Sequence, residues 1–411
     1  MASTPEYWTR IVFIIDAPSP ISVQSCFQWS QNLPLDVYVT CYGAHMPNHS
    51  WTEQDRQRER AQVAQVMDSL RPNVPRCTSI RFDVVHASSL PLICEDFHGE
   101  APDLRELELT CLFDDETNSA RYELDATRTW DFFCPKLSKL ALNGANFATS
   151  PQLFDSVQTL VLLNLSHYKA SHCSPWRLRP HDVCSALARM PFRVQRVHSL
   201  IIQDVEFDAG VQLASDVSLE FDAELIAFHR IKSNDIFQIL DCTGIWTEGI
   251  IFEQCPIANL SAPIPGNFLQ FLNIAIDQDL SVPLTGWLGD TLYIFASPCF
   301  NDDLLRDLAD DGRTLTQADG EGAARFICDE LKQLHISNCT NFSVESLKEM
   351  IKSRKEVAYH YNPWEDNDDM YLTDFDVVPP IHVLRVGGGP PLGAEDREWF
   401  WQNVPEFSWT S

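Results

Sequence analysis

LRELEL (Leu104–Leu109) and LSKLALN (Leu137–Asn143) are two copies of one string, L-x-x-L-x-L followed by a small or amide residue. Further copies read Val157, Leu160, Leu162, Asn164; Val197, Leu200, Ile202, Asp204; and Leu331, Leu334, Ile336, Asn338, Cys339. Weaker ones centre on Ile80 and Phe82, Ile250 and Phe252, Ile274 and Ile276, and Leu292 and Ile294. The last two apolar residues of each string alternate, so they belong to a short strand that buries one face. The Asn, Asp or Cys behind them can bond or fill the turn, which gives Asn164, Asp204, Asn338 and Cys339 a structural task.

Helix starts fall between the strings. Thr52-x-x-Asp55 reads as a capping box ahead of Val63, Val66, Met67 and Leu70. Ser19-Pro20 and Ser150-Pro151 place a cap before proline, and Ser343 precedes a helix whose Lys352, Arg354 and Lys355 suit its C-terminal end. The first 85 residues obey the same logic, with strands expected at 11–15, 36–40 and 79–85. Strings recur at about 18 to about 42 residues, against about 20 to 29 for regular leucine-rich repeats. The expectation is an α/β fold: an irregular leucine-rich-repeat solenoid, a curved parallel sheet with outer helices, over residues 1–359. An acidic C-terminal cap and aromatic tail are expected over 360–411.

Composition narrows the function. Asp and Glu outnumber Lys and Arg 58 to 30, for a net charge of −28, which repels phosphate backbones and anionic membranes. Nucleic acid and membrane are therefore not expected as partners. The run Glu365, Asp366, Asp368, Asp369, Asp374, Asp376 contains no Lys or Arg and reads as a solvated loop. Thirteen scattered cysteines with no C-x-x-C pair suggest neither a disulfide framework nor zinc. The apolar run Ile11–Ile15 is too short for a signal peptide, and the uncharged stretch 254–276 is broken by Pro256, Pro263, Pro265 and Gly266. Cytoplasm or nucleus is the expected location.

Two regions carry a family likeness. LKQLHISNCTNFSVESLKEMIKSR (Leu331–Arg354) resembles the cysteine-containing leucine-rich repeat of F-box proteins. TPEYWTRIVFIIDAPSPISVQSCFQWSQNLPLDVYV is similar to the segment after the F-box in the large F-box-like families of mushroom-forming fungi, matching their T-P-x-x-W-x-x-I string at Thr4, Pro5, Trp8 and Ile11. REWFWQNVPEFSW (Arg397–Trp409) resembles the ending of such proteins. The resemblance implies the substrate-recognition part of an SCF-type ubiquitin ligase, with the F-box itself missing from this chain. A Skp-type adaptor is expected as partner only if an F-box lies upstream. The alternative is an F-box-less scaffold with no ubiquitin role.

In a leucine-rich-repeat strand, the residues flanking the core positions leave the concave sheet, where partners dock. That register gives Glu106, Glu108, Lys139, Asn143, Val161, Leu163, Ile201, Gln203, Ile251, Glu253, Asp277, Tyr293, Phe295, Gln333 and His335. Val161, Leu163, Ile201, Ile251, Tyr293 and Phe295 form an apolar middle of the kind that marks an interface, unless Trp399, Phe400, Trp401, Phe407 and Trp409 of the tail cover it. No catalytic residue, metal site or cofactor is expected. Gly387-Gly388-Gly389-Pro390 lacks the Lys-Ser/Thr of a phosphate loop, and Asp307, Asp310, Asp311, Gly312 echo a calcium loop without its bidentate Glu, since Ala318 stands there. Cys26, Cys111 and Cys184 read as small buried apolar residues.

Overall fold

The alternating apolar strings become parallel strands in the computed structural model of the chain, which describes residues 4–15, 22–41, 51–115, 131–169, 177–191, 196–208, 222–241, 246–261, 263–310, 327–360 and 379–410. Two compact units emerge, residues 1–223 with 242–244, and residues 224–241 with 245–411.

The first unit runs β1 (Arg10–Ile14), α1 (Val23–Trp29), β2 (Leu35–Thr40), α2 (Glu53–Leu70), β3 (Cys77–His86), α3 (Ile93–Asp96), β4 (Glu106–Phe113), β5 (Lys139–Asn143), α4 (Gly144–Thr149), α5 (Leu153–Ser156), β6 (Leu162–Lys169), α6 (Pro180–Ala188) and β7 (Arg196–Glu206). Each strand pairs in parallel with the next in chain order. Val37, Ile80, Leu107, Leu140, Leu163 and Leu200 lie side by side in that register, all fully buried. Such a row removes each side chain from water against its neighbours, at roughly 1.5–3 kcal/mol apiece.

The second unit holds β8 (Asp222–His229, from Glu224), α7 (Ser233–Asp241), β9 (Trp246–Glu253), β10 (Phe268–Leu272), α8 (Ser281–Thr285), β11 (Thr291–Phe295), α9 (Asp302–Ala309), β12 (Gln333–Ser337), α10 (Val344–His360), β13 (Val383–Gly387), α11 (Ala394–Asn403) and β14 (Glu406–Thr410). Strands β9 to β14 are again parallel and in chain order. Their core rows are Ile250–Leu269–Leu292–Leu334–Leu384 and Phe252–Phe271–Ile294–Ile336–Val386. Phe228, Phe252 and Phe271 stack at 5.8 and 5.7 Å.

Both ends of these strands are tied by the backbone. Ahead of them, the amides of Asn267, Asp290, Lys332, His382 and Glu406 donate in turn to the carbonyls of Glu248, Asn267, Asp290, Lys332 and His382. Behind them, the amides of Arg230, Gln254, Asn273, Ala296, Asn338 and Gly388 donate to the carbonyls of Glu253, Leu272, Phe295, Ser337, Gly387 and Thr410, at 2.7–3.0 Å. All six of these donors have positive φ. Asn338 takes that conformation at low cost, and Gly388 at none. Two residues beyond β9, β11 and β12 a small polar side chain closes the turn: Cys255 and Cys339 donate their thiols to the carbonyls of Glu253 and Ser337, and the Ser297 hydroxyl donates to that of Phe295.

Several expectations need correction. In β6 the core residues are Leu163 and Leu165, so the string Val157, Leu160, Leu162 is one residue out of register and Leu163 faces the core. Leu162 and Leu163 are both leucine, so alternation alone fits either frame; pairing with Leu140 and Leu142 decides. Asn164 therefore sits on the opposite face from Leu163 and not in a turn. The strand expected at Ile274 and Ile276 is instead β10, whose Leu269 and Phe271 are buried; Ile276 lies beyond it at 68% exposure, and Asp277 follows outside the sheet. Asn143 is buried and caps α4, accepting from the Asn146 amide at 3.2 Å. Ser150-Pro151 does not cap a helix, since α5 starts at Leu153 behind Gln152.

The Thr52 capping box is present in full, with the Asp55 amide donating to Thr52 Oγ1 at 3.3 Å and the Thr52 amide to Asp55 Oδ2 at 3.1 Å. Ser343 Oγ accepts from the Ser346 amide at 3.1 Å. Helix α10 runs to His360, however, and Arg354 is fully buried in it. Past residue 379, β13, α11 and β14 continue the strand-helix alternation. Phe400 and Trp409 are buried 5.6 Å apart, with Phe407 stacked on Phe400 at 5.1 Å, so these tail aromatics fill the core of the unit and leave the sheet face open. Ser19-Pro20 and the acidic run 365–376 lie outside the described residues.

Candidate partner-binding surface

Alternation that buries one set of side chains presents the other on the face away from the core, where neighbouring strands stand about 4.8 Å apart. In the first unit the parallel register brings Val12, Tyr38, Arg81 and Glu108 into one lateral row. Arg10 and Arg81 approach the Tyr38 ring at 4.8 and 5.1 Å, distances at which a guanidinium is attracted to an aromatic face. Arg81 Nη2 lies 2.6 Å from Glu106 Oε1, whereas its Nε is 3.5 Å from Glu108 Oε2. Lys139 Nζ is 3.6 Å from Glu106, and Ser79 Oγ donates to Glu106 Oε2 at 2.9 Å.

The two carboxylates consequently titrate in opposite directions. Burial opposes ionisation of Glu106, but the hydrogen bonds from Arg81 and Ser79 and the charges of Arg81 and Lys139 outweigh it and hold the carboxyl below its usual range. Burial pushes Glu108 up, aided by the neighbouring negative Glu106 and Asp83 and only partly offset by Arg81. A cavity of about 410 Å³ opens among these side chains, lined also by Thr40, Asp83 and Thr110.

The second unit carries a different surface. Ile251, Gln270, Tyr293, His335 and Arg385 form its middle row. Tyr293 and His335 stack face to face at 4.4 Å and 15°, and Phe268 meets Tyr293 edge-on at 6.2 Å. Phe268 can lie flat there because its ring covers Gly249, where any Cβ would collide with it. Burial, seconded by the charge of Arg385, lowers the pKa of His335 and keeps the ring neutral. Glu253 is engaged by His229 Nδ1 at 2.7 Å, and Phe295 is 38% exposed.

Of the expected docking residues, Glu106 and Glu108 come together in the first unit, and Ile251, Glu253, Tyr293, Phe295 and His335 share the open face of the second. Ile201 is half-buried on β7 beside Asn164. Val161 is 47% exposed but precedes β6, its amide donating to the Ser138 carbonyl at 2.7 Å. Leu163 drops out as a core residue. Tyr38 and Arg81 were missed although the alternation of Val37 with Val39 and of Ile80 with Phe82 already turns them outward. Phe268 was missed with its strand, and Arg385 because VLRVG lies in the stretch read as a tail.

Among the described residues no group of three His, Cys, Asp or Glu is placed to hold a metal. Burial raises the thiols of Cys77 and Cys134 to about 12 and that of Cys111 well above its usual range, far from the thiolate a nucleophile requires. Gly387 ends β13 and Gly388 turns the chain behind it. Asp307 and Asp310 fall at the end of α9, while Asp311, Gly312 and Ala318 lie outside the described residues. No helix among the described residues is long and apolar enough to cross a membrane. Comparison with known protein families and with curated proteins finds no family model and no curated sequence that matches the chain.

Proposed function

We propose that the chain is an irregular, curved leucine-rich-repeat solenoid acting as a non-catalytic protein-binding module, whose partner docks on the open sheet face. The observation that carries this reading is the pair of backbone ladders at the strand ends. Parallel strands paired in chain order, with a residue in the left-handed region behind each of β8 to β13, are how a repeat array stacks. Such arrays spend their helices on one side and leave a row-patterned sheet for ligands.

The narrower reading is substrate recognition for an SCF-type ubiquitin ligase, supported by the F-box-protein likeness. The matching residues belong to the frame: Trp8 packs against Trp29 at 4.6 Å, Ile11 is buried on β1, and Cys339 closes the turn after β12. They support common ancestry of the scaffold without specifying what it binds.

Cross-linking mass spectrometry on the chain with a co-purified partner tests the first reading. Cross-links should map beside the open-face rows and weaken in Tyr38→Ala and Tyr293→Ala; cross-links confined to the helical side would overturn it. Co-purification of the Skp-type adaptor with the full gene product tests the ubiquitin role separately.

A further inference from the structure

Asp and Glu outnumber Lys and Arg nearly two to one in this chain, yet the four neighbouring strands β10 to β13, FLQFL, TLYIF, QLHIS and VLRVG, contain no Asp or Glu. Their open face carries Phe268, Leu272, Tyr293, Phe295 and His335, and one full charge, Arg385. Arg385 is exposed and makes no ion pair with any described residue. Of the carboxylates at the margins, Glu253 on β9 is taken by His229, and Glu406 stands on the terminal strand β14. The stacked Tyr293–His335 pair leads directly to Arg385 along one lateral row.

The geometry points to this face as the docking site for an extended protein segment in which an Asp or Glu side chain lies next to an aromatic or aliphatic one. The carboxylate pairs with the Arg385 guanidinium, whose planar fork suits two parallel hydrogen bonds. The apolar neighbour packs on Tyr293 and Phe295. Charge complementarity selects the acidic segment: a basic one would bring like charge to Arg385 and find no carboxylate on β10 to β13, and an uncharged one would bury the guanidinium unpaired. His335 stays neutral beside Arg385 and so adds no competing cation. This inference rests on the protein-binding reading above and locates it on the second unit.

The test pans a heptapeptide display library on the full chain, then measures the enriched synthetic peptide by fluorescence anisotropy. Enriched peptides should share an acid beside Phe, Tyr, Trp or Leu. Affinity should fall about tenfold in Arg385→Gln and in Tyr293→Ala and stay unchanged in Arg81→Gln, with circular dichroism confirming that all three fold. Peptides that bind through Arg81 and Tyr38 and ignore Arg385→Gln would refute this site while leaving a protein-binding module intact. Failure to enrich any peptide would overturn this site, while the protein-binding reading stands or falls on the cross-linking experiment. Binding that requires a free C-terminal carboxylate and vanishes on amidation would replace the side-chain acid with a chain terminus. Displacement of the peptide by single-stranded oligothymidylate would replace the protein segment with nucleic acid; either result overturns the proposal.

Discussion

Arg81 holds Glu106 at 2.6 Å and leaves Glu108, on the same strand and the same face, at 3.5 Å. One guanidinium thus divides two carboxylates that the sequence presents as equals. Glu106, lowered, contributes stability present above its usual titration range and lost as pH falls through its folded pKa. Glu108, raised, contributes stability present below that range and lost as pH rises. Glu106→Gln should therefore cost about 1–2 kcal/mol at pH 7. Glu108→Gln should be neutral or stabilising there, and urea unfolding of both variants at pH 7 and pH 4 checks the sign of each.

The buried Arg354 spreads its guanidinium over several backbone carbonyls. Its Nη2 donates to the carbonyls of Cys328 at 2.8 Å and Asp329 at 3.3 Å, and its Nη1 to those of Leu308 and Ile327 at 3.4 Å. It therefore joins α9, α10 and the turn before β12, and burial lowers its pKa to about 10, which still leaves it charged at neutral pH. Arg354→Met should cost about 3 kcal/mol or more by stranding those carbonyls. Arg354→Lys, a single point of donation, should recover less than half, as read from urea midpoints.

His335 gives a pH signature. Its folded pKa lies below the ordinary 6.5, so the unfolded chain takes up the proton first. That favours unfolding as pH drops below about 6.5 and has no effect above it. Thermal melts between pH 7.5 and pH 5 should show less acid sensitivity in His335→Gln than in the parent; an identical slope would exclude His335 as a source.

Gly388 and Asn338 occupy equivalent left-handed positions behind adjacent strands, and a Cβ at Gly388 would run into Asn338 Oδ1. Gly388→Ala should destabilise by about 1–2 kcal/mol. Combining it with Asn338→Gly should recover the steric part and leave the conformational one, a non-additivity that a double-mutant cycle measures.

The period of the apolar strings was enough to place β3, β4, β5, β7, β9, β11 and β12, in each of which two buried residues alternate about one that faces away from the core. It failed at Leu162-Leu163, where two adjacent leucines fit either frame of the string, and where two candidate strands follow closely, as with FLQFL and Asn273–Ile276. Register there is a property of the neighbouring strand, which no local window contains. The open-face row of Tyr38, Arg81 and Glu108 was legible in principle, since alternation fixes it. The preference of Arg81 for Glu106, the burial of Arg354 and the stacking of His335 on Tyr293 were not, because each depends on lateral neighbours 25 or more residues away in sequence.

The amide ladders that bracket β10 to β13 fix where the chain departs and where it must return. Residues 254–267 separate β9 from β10, while 296–332 separate β11 from β12, yet both junctions close with the same bonds. Lengthening such an excursion adds little entropy cost, about 0.6 kcal/mol per doubling. The length of each excursion is thus an evolutionary free variable: insertions and deletions can remodel the margins of the sheet while its register, and the rows of side chains it presents, stay as they are.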